Sequence, residues 1–152
     1  MTAMTWWRSP LRRLLSEQDE SRVIAAIRRA EAKTSGEIRV HVERRSGSDP
    51  TTAAKLWFGR MGMENTEERN GILFYVAVDD RAFAIVGDAG IHAKVGDGFW
   101  QALSGAMGEA FAKGNPAEGL ERAIDEVALR LAEHFPRHRE DENELSDEIS
   151  YR

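Results

Sequence analysis

The chain contains no cysteine. Disulfides, thiolate metal sites and cysteine nucleophiles are therefore excluded, although this absence does not by itself fix a compartment. It also has no excess of positive charge: 21 Lys and Arg stand against 26 Asp and Glu, for a net charge of −5. A general nucleic-acid binder, which would show a basic domain, is not expected. No apolar run approaches the ~18 residues of a membrane span. The opening stretch, MTAMTWWRSPLRRLL, lacks the apolar h-region and small-residue cleavage site of a secretory signal. The expectation is a cytoplasmic protein without a transmembrane segment. Common catalytic signatures are missing too. There is no G-x-x-x-x-G-K-[ST], no complete G-x-G-x-x-G, no H-E-x-x-H and no G-x-S-x-G. His134 and His138 are spaced for one helical face, but Pro136 lies between them.

What is present fits one globular unit. The chain has 152 residues, 41% of them hydrophobic, enough for a core of its own. Three parts are expected: an N-terminal arm over 1–15, a domain over 16–136 and an acidic, disordered tail over 137–152. The arm combines Trp6, Trp7, Arg8, Arg12 and Arg13 with Leu11, Leu14 and Leu15. That composition suits peripheral contact with a membrane surface as well as packing on the domain itself. The tail is dominated by Glu140, Asp141, Glu142, Glu144, Asp147 and Glu148, with little to bury.

Within the domain, Ser16-x-x-Asp19 opens a helix whose apolar stripe is Val23, Ile24, Ile27 and Ala30. Residues 37–43 alternate strictly, with Ile38, Val40 and Val42 on the core face and Arg39, His41 and Glu43 on a face expected to be solvated. Asp49 and Pro50 start a second helix. Residues 72–78 form a continuous apolar run that reads as a central strand buried on both faces, and 81–86 is its hairpin partner. Residues 97–113 and a final stripe of Leu120, Ile124, Val127, Leu131 and Phe135 predict two more helices. A strand–helix–strand unit favours a parallel right-handed crossover, with the hairpin adding an antiparallel neighbour. The fold class is therefore α/β, a three-layer α/β/α sandwich around a small mixed sheet.

This topology sorts the carboxylates. One sheet edge would collect Glu37, Asn70, Gly71, Asp88 and Asp97; the other would collect Asp49, Asp79, Asp80 and Arg81. Two carboxylates, an amide oxygen and loop carbonyls suit a hard cation, Ca²⁺ or Mg²⁺. The simpler alternatives are that Asp97 caps a helix and Asp88 is a turn residue.

Several stretches, taken in order, resemble the TPM domain: Glu31-Ala-Lys-Thr-Ser-Gly-Glu37-Ile-Arg-Val40, Asn70-Gly71-Ile72-Leu73, Asp80-Arg81, Gly87-Asp88-Ala89-Gly90-Ile91, Asp97-Gly98-Phe99-Trp100 and Gly119-Leu120. The family includes a thylakoid acid phosphatase involved in photosystem II repair and many bacterial proteins. The resemblance implies an α/β/α sandwich with a Ca²⁺ or Mg²⁺ site near the Asn-Gly and Gly-rich segments. The positions it carries over are Asn70, Gly71, Asp88 and Gly90, with Asp97 a weaker match. Many relatives have an acidic residue just before Asn-Gly, where this chain has Arg69, a side chain able to hold a phosphate group instead. Many also carry a signal peptide or a C-terminal anchor, so the expectation is a soluble bacterial branch. The candidate ligand set is then Asp88, Asp97 and Glu37 for the metal, with Asn70, Gly71, Gly90 and Arg69 around it. Two functions follow: a cation-binding interaction module serving assembly or repair of a membrane complex through a protein partner, or a metal-dependent phosphomonoesterase of low activity.

Overall fold

A computed structural model describes residues 15–137 and 149–151. The first helix, α1 (Glu17–Glu31), starts where Ser16 Oγ accepts the Asp19 N–H at 3.0 Å. Such a cap contributes about 1 kcal/mol. Acids in the first turn and Arg28 and Arg29 in the last complement the helix dipole. Strand β1 (Glu37–Glu43) follows, then α2 (Pro50–Arg60), capped by Asp49 with proline at the first position. A single 3₁₀ turn (Met63–Asn65) leads to β2 (Gly71–Ala77) and its hairpin partner β3 (Ala82–Gly87). Helices α3 (Ala89–Ala112) and α4 (Pro116–His134) complete the main body, and β4 (Ser150–Tyr151) returns to the sheet.

The sheet order is β3-β2-β1-β4, with β1 parallel to β2 and β3 antiparallel to β2. One face carries Ile38, Val40, Val42, Ile72 and Phe74, covered by the apolar sides of α1, α3 and α4. The other carries Leu73, Tyr75, Ala77 and Ala84, covered by Ala53, Ala54 and Phe58 of α2. Every residue of β2 is buried, as its unbroken apolar run predicts for a strand with helices on both sides. The three-layer α/β/α arrangement is thus present.

Helices α1 and α4 are also tied at the surface, where Glu121 accepts from Arg22 at 2.8 Å and from Arg29 at 3.4 Å. The hydrogen bond from Arg22 is the main cause that lowers the Glu121 pKa below the ordinary carboxylate value. A carboxylate with a depressed folded-state pKa contributes stability above its unfolded pKa, and that contribution is lost as pH falls through the folded value. Thermal melts of wild type and Glu121→Gln should therefore differ modestly at neutral pH. The gap should close below about pH 4 and shrink with salt. A gap unchanged at acid pH would show that the ion pair is not its source.

The structure corrects several expectations. His41 and Glu43 are buried rather than solvated, at 2% and 3% exposure. The cause is Trp57 of α2, whose ring lies 4.2 Å from that of His41 and whose Nε1 donates to Glu43 at 3.1 Å. The helix expected over 97–113 begins at Ala89, and Asp88, for which a turn was the simpler expectation, is its N-cap. A break remains at Gly96, with φ 77° and ψ 173°, inside the helix. At the C-terminus, Ser150 and Tyr151 pair with His41 and Val42. Ile149 is buried there, and Tyr151 donates to Glu20 at 2.6 Å. Leu15, assigned to the arm, belongs to the core. The rest of the arm, 1–14, and the acidic stretch 138–148 lie outside the described residues.

Candidate functional site

Register builds the site. Glu37 stands opposite Gly71, and Ile72 stands opposite Gly87, so the starts of β1 and β2 and the end of β3 share one edge. The Asp88 N–H donates to the Gly71 carbonyl at 2.9 Å, extending that ladder by one residue. The loop before β2 is then stitched to the start of α3. The Arg69 carbonyl accepts from the N–H groups of Gly90, at 2.8 Å, and Ile91, at 3.3 Å. These are N–H groups that a helix leaves without internal partners in its first turn. Arg69 reaches this position in a left-handed conformation, φ 54°, uncommon for a residue with a side chain. Gly90 is required by the same contact. A Cβ there would lie 2.1 Å from the Glu68 carbonyl oxygen and 2.6 Å from that of Arg69.

Two polar groupings occupy the edge. In the first, Arg69 clamps Asp88: Nε donates to Oδ2 at 2.8 Å and a terminal nitrogen donates to Oδ1 at 3.0 Å. Asp88 Oδ1 also accepts the Ala89 N–H at 2.7 Å. The Asp88 side chain is 6% exposed, that of Arg69 52%. The hydrogen bond to Asp88, followed by its charge, raises the Arg69 pKa further above its already high value.

In the second grouping, Ser35 Oγ donates to Glu68 Oε2 at 2.9 Å, and Asn70 Nδ2 donates to Ser35 Oγ at 3.2 Å. With Glu68 able only to accept, the Asn70 amide nitrogen must face this pair. That leaves Asn70 Oδ1, a buried oxygen with no hydrogen-bond partner among the described residues. Asn70 is only 2% exposed, so its carbonyl is desolvated without compensation.

Of the residues singled out in the sequence, Glu37, Arg69, Asn70, Gly71, Asp88 and Gly90 gather at this edge. Asp97 has a different engagement. It follows the Gly96 break, its carboxylate is 86% exposed, and it pairs with His92 at 3.5 Å. Among the described residues no three His, Asp or Glu side chains are grouped to hold a metal ion. Ser35 and Glu68 were not anticipated as site members. Their only sequence signal is position, with Ser35 just before β1 and Glu68 two residues before Asn70. At the opposite edge the acids have local work. Asp49 caps α2, Arg44 donates to Asp79 at 3.1 Å, and the Ser46 N–H donates to Asp80 at 2.8 Å. That backbone bond is the chief reason the Asp80 pKa is lowered.

A second buried polar group lies between β1 and α2. Glu43 accepts from both the Tyr75 hydroxyl and Trp57 Nε1. His41 Nδ1 lies 2.8 Å from Ser150 Oγ, fastening β4 to β1. It has the character of a structural network, closed over by Trp57.

Sheet order, layering and the Asn-Gly edge define an α/β/α domain of one recognisable kind. The family model of the TPM domain matches residues 11–130, and the chain belongs to that family. Among solved structures it is similar to the BA42 protein of the psychrophilic bacterium Bizionia argentinensis. The identity is 41%, over 91% of this chain and 95% of that one, with a TM-score of 0.84. It is also similar to the N-terminal domain of a P. gingivalis protein, with 26% identity, 83% of each chain covered and a TM-score of 0.60. The N-terminal domain of cg2496 from Corynebacterium glutamicum shares the fold at 20% identity, with 77% and 74% covered and a TM-score of 0.62. No curated protein matches the chain. No described helix is long and apolar enough to cross a membrane.

Proposed function

We propose that the chain is a divalent-cation-responsive interaction module, with the Asn70–Asp88 edge as its cation site. Asn70 Oδ1 carries this reading: it is a buried carbonyl oxygen without a partner among the described residues, on an amide whose Nδ2 faces Ser35 and the Glu68 carboxylate. Hard cations take carboxylate and amide oxygens, and such an ion would satisfy the orphaned acceptor. The donor set fits Ca²⁺ or Mg²⁺ in kind: Asn70 Oδ1 would hold it first, with Asp88 joining when Arg69 yields. Glu37 shares the edge. A bound ion would supply positive charge there and draw the 66–70 loop and the start of α3 together.

A binding role is favoured over metal-assisted hydrolysis because both oxygens of Asp88, the carboxylate that would help hold a phosphoryl-polarising ion, are taken by Arg69. Ser35 Oγ is engaged with Glu68 and Asn70. One observation speaks for the second reading, a phosphomonoesterase of low activity: the Arg69 guanidinium is half exposed beside the N-terminus of α3, where phosphoryl oxygens are well received. A protein partner at a membrane complex is the expected recipient of the module, with contact through the arm that precedes Leu15.

The deciding measurement is a titration with Ca²⁺ and Mg²⁺ followed by backbone amide shifts. Localised, saturable shifts at Asn70, Asp88 and Gly90 are expected, while Asp97 follows only weakly. An unchanged spectrum at millimolar ion would remove the cation reading.

A further inference from the structure

We infer that Arg69 is a built-in counter-ion of this edge, competing with a divalent cation for Asp88 and so setting the concentration at which the site fills. The inference rests on the cation reading above. It concerns a residue whose charge is opposite to what a cation site asks for.

The geometry has three parts. First, the guanidinium meets both Asp88 oxygens, at 2.8 and 3.0 Å, so the carboxylate is fully committed while Arg69 is in place. Paired forks of this kind are the stronger class of charge-assisted hydrogen bond, and a dication brought to the same oxygens must displace the fork or be repelled by it. Second, the two partners differ in freedom. Asp88 is fixed by the Ala89 N–H at 2.7 Å and is nearly inaccessible, whereas the Arg69 side chain is half exposed and able to leave toward water. Third, the Arg69 backbone stays put when the side chain leaves. Its carbonyl holds the Gly90 and Ile91 N–H groups, and the close packing of Gly90 against Glu68 and Arg69 fixes the loop. The exchange is thus confined to one side chain on a fixed frame. With Arg69 in place, the buried carboxylate is neutralised without any ion. With Arg69 displaced, the buried Asp88 carboxylate is left to an ion at this edge.

The test compares the full chain with Arg69→Gln, with Arg69→Asn as the second variant because asparagine tolerates the left-handed backbone. Ca²⁺ affinity is read by calorimetry and by the amide shifts of Asn70, Asp88 and Gly90. Thermal stability is read with and without ion. Both variants should bind Ca²⁺ at least tenfold tighter than wild type. Their ion-free melting temperature should fall below that of wild type and recover on adding Ca²⁺. Binding in the variants alone supports the counter-ion role, and it shows that the unaltered chain runs with Arg69 in place of the ion. Equal affinities in all three chains overturn the role of Arg69 and leave the cation reading standing. No binding in any of them overturns both.

Discussion

Gly90→Ala is expected to destabilise the chain by about 3–4 kcal/mol, a fall in melting temperature of about 10 °C for a domain of this size. The added Cβ would sit 2.1 and 2.6 Å from two backbone carbonyl oxygens. Those atoms cannot step aside as a side-chain tip can, because the Arg69 carbonyl is already bonded to the N–H groups of residues 90 and 91. Relief requires the loop before β2 to part from the start of α3, which opens the candidate site as well. A matched control is Gly105→Ala. That glycine is in α3 with nothing within 4 Å of a built Cβ. It should gain up to ~1 kcal/mol from helix propensity. Two alanine substitutions in one helix would then move stability in opposite directions. Equal melting temperatures for both would mean that the loop and helix are not in contact.

Glu43→Ala is expected to cost about 2–4 kcal/mol, since it leaves two buried donors without their shared acceptor. The Tyr75 hydroxyl and Trp57 Nε1 both converge on Glu43, which is itself 3% exposed. Glu43→Gln retains an acceptor oxygen of the same reach and should lose less than half as much. Trp57 supplies an internal report, since loss of its acceptor should shift its fluorescence in the alanine variant and leave it nearly unchanged in the glutamine one. A small loss on alanine substitution would mean that water replaces the carboxylate at little cost.

Much of the fold could be read from sequence. The apolar run at 72–78 has the length and composition of a strand covered on both faces, as β2 is, and the caps at Ser16 and Asp49 are local chemistry. From strand directions alone, Glu37, Asn70, Gly71 and Asp88 were expected at one edge, where the register places them. What escaped has physical reasons. Alternation along β1 separates two sets of side chains but does not reveal what lies over each. The polar set was read as solvated, yet Trp57 caps it and the polar atoms satisfy one another. Ser150 and Tyr151 pair with β1 through two residues, too short a segment to show a period against an acidic background. The Arg69–Asp88 clamp depends on a left-handed backbone at Arg69 and on where α3 begins, and neither has a composition signal. Asp97 was expected at the same edge as Asp88, but the intervening turns of α3 give it a different partner, His92.

The break at Gly96 has a consequence for how the edge is held. It divides α3 into a leading piece, 89–95, and the long remainder. The leading piece buries Ile91 completely, while His92, Ala93 and Lys94 are exposed. Its ties run to the loop before β2 through the Gly90 and Ile91 N–H groups, whereas Leu103 and Met107 anchor the rest of the helix in the core. Hydrogen exchange is expected to report the exposed turn at 92–94 apart from the long remainder of α3. The bend at Gly96 thus separates a short piece stitched to the loop before β2 from a long piece anchored in the core.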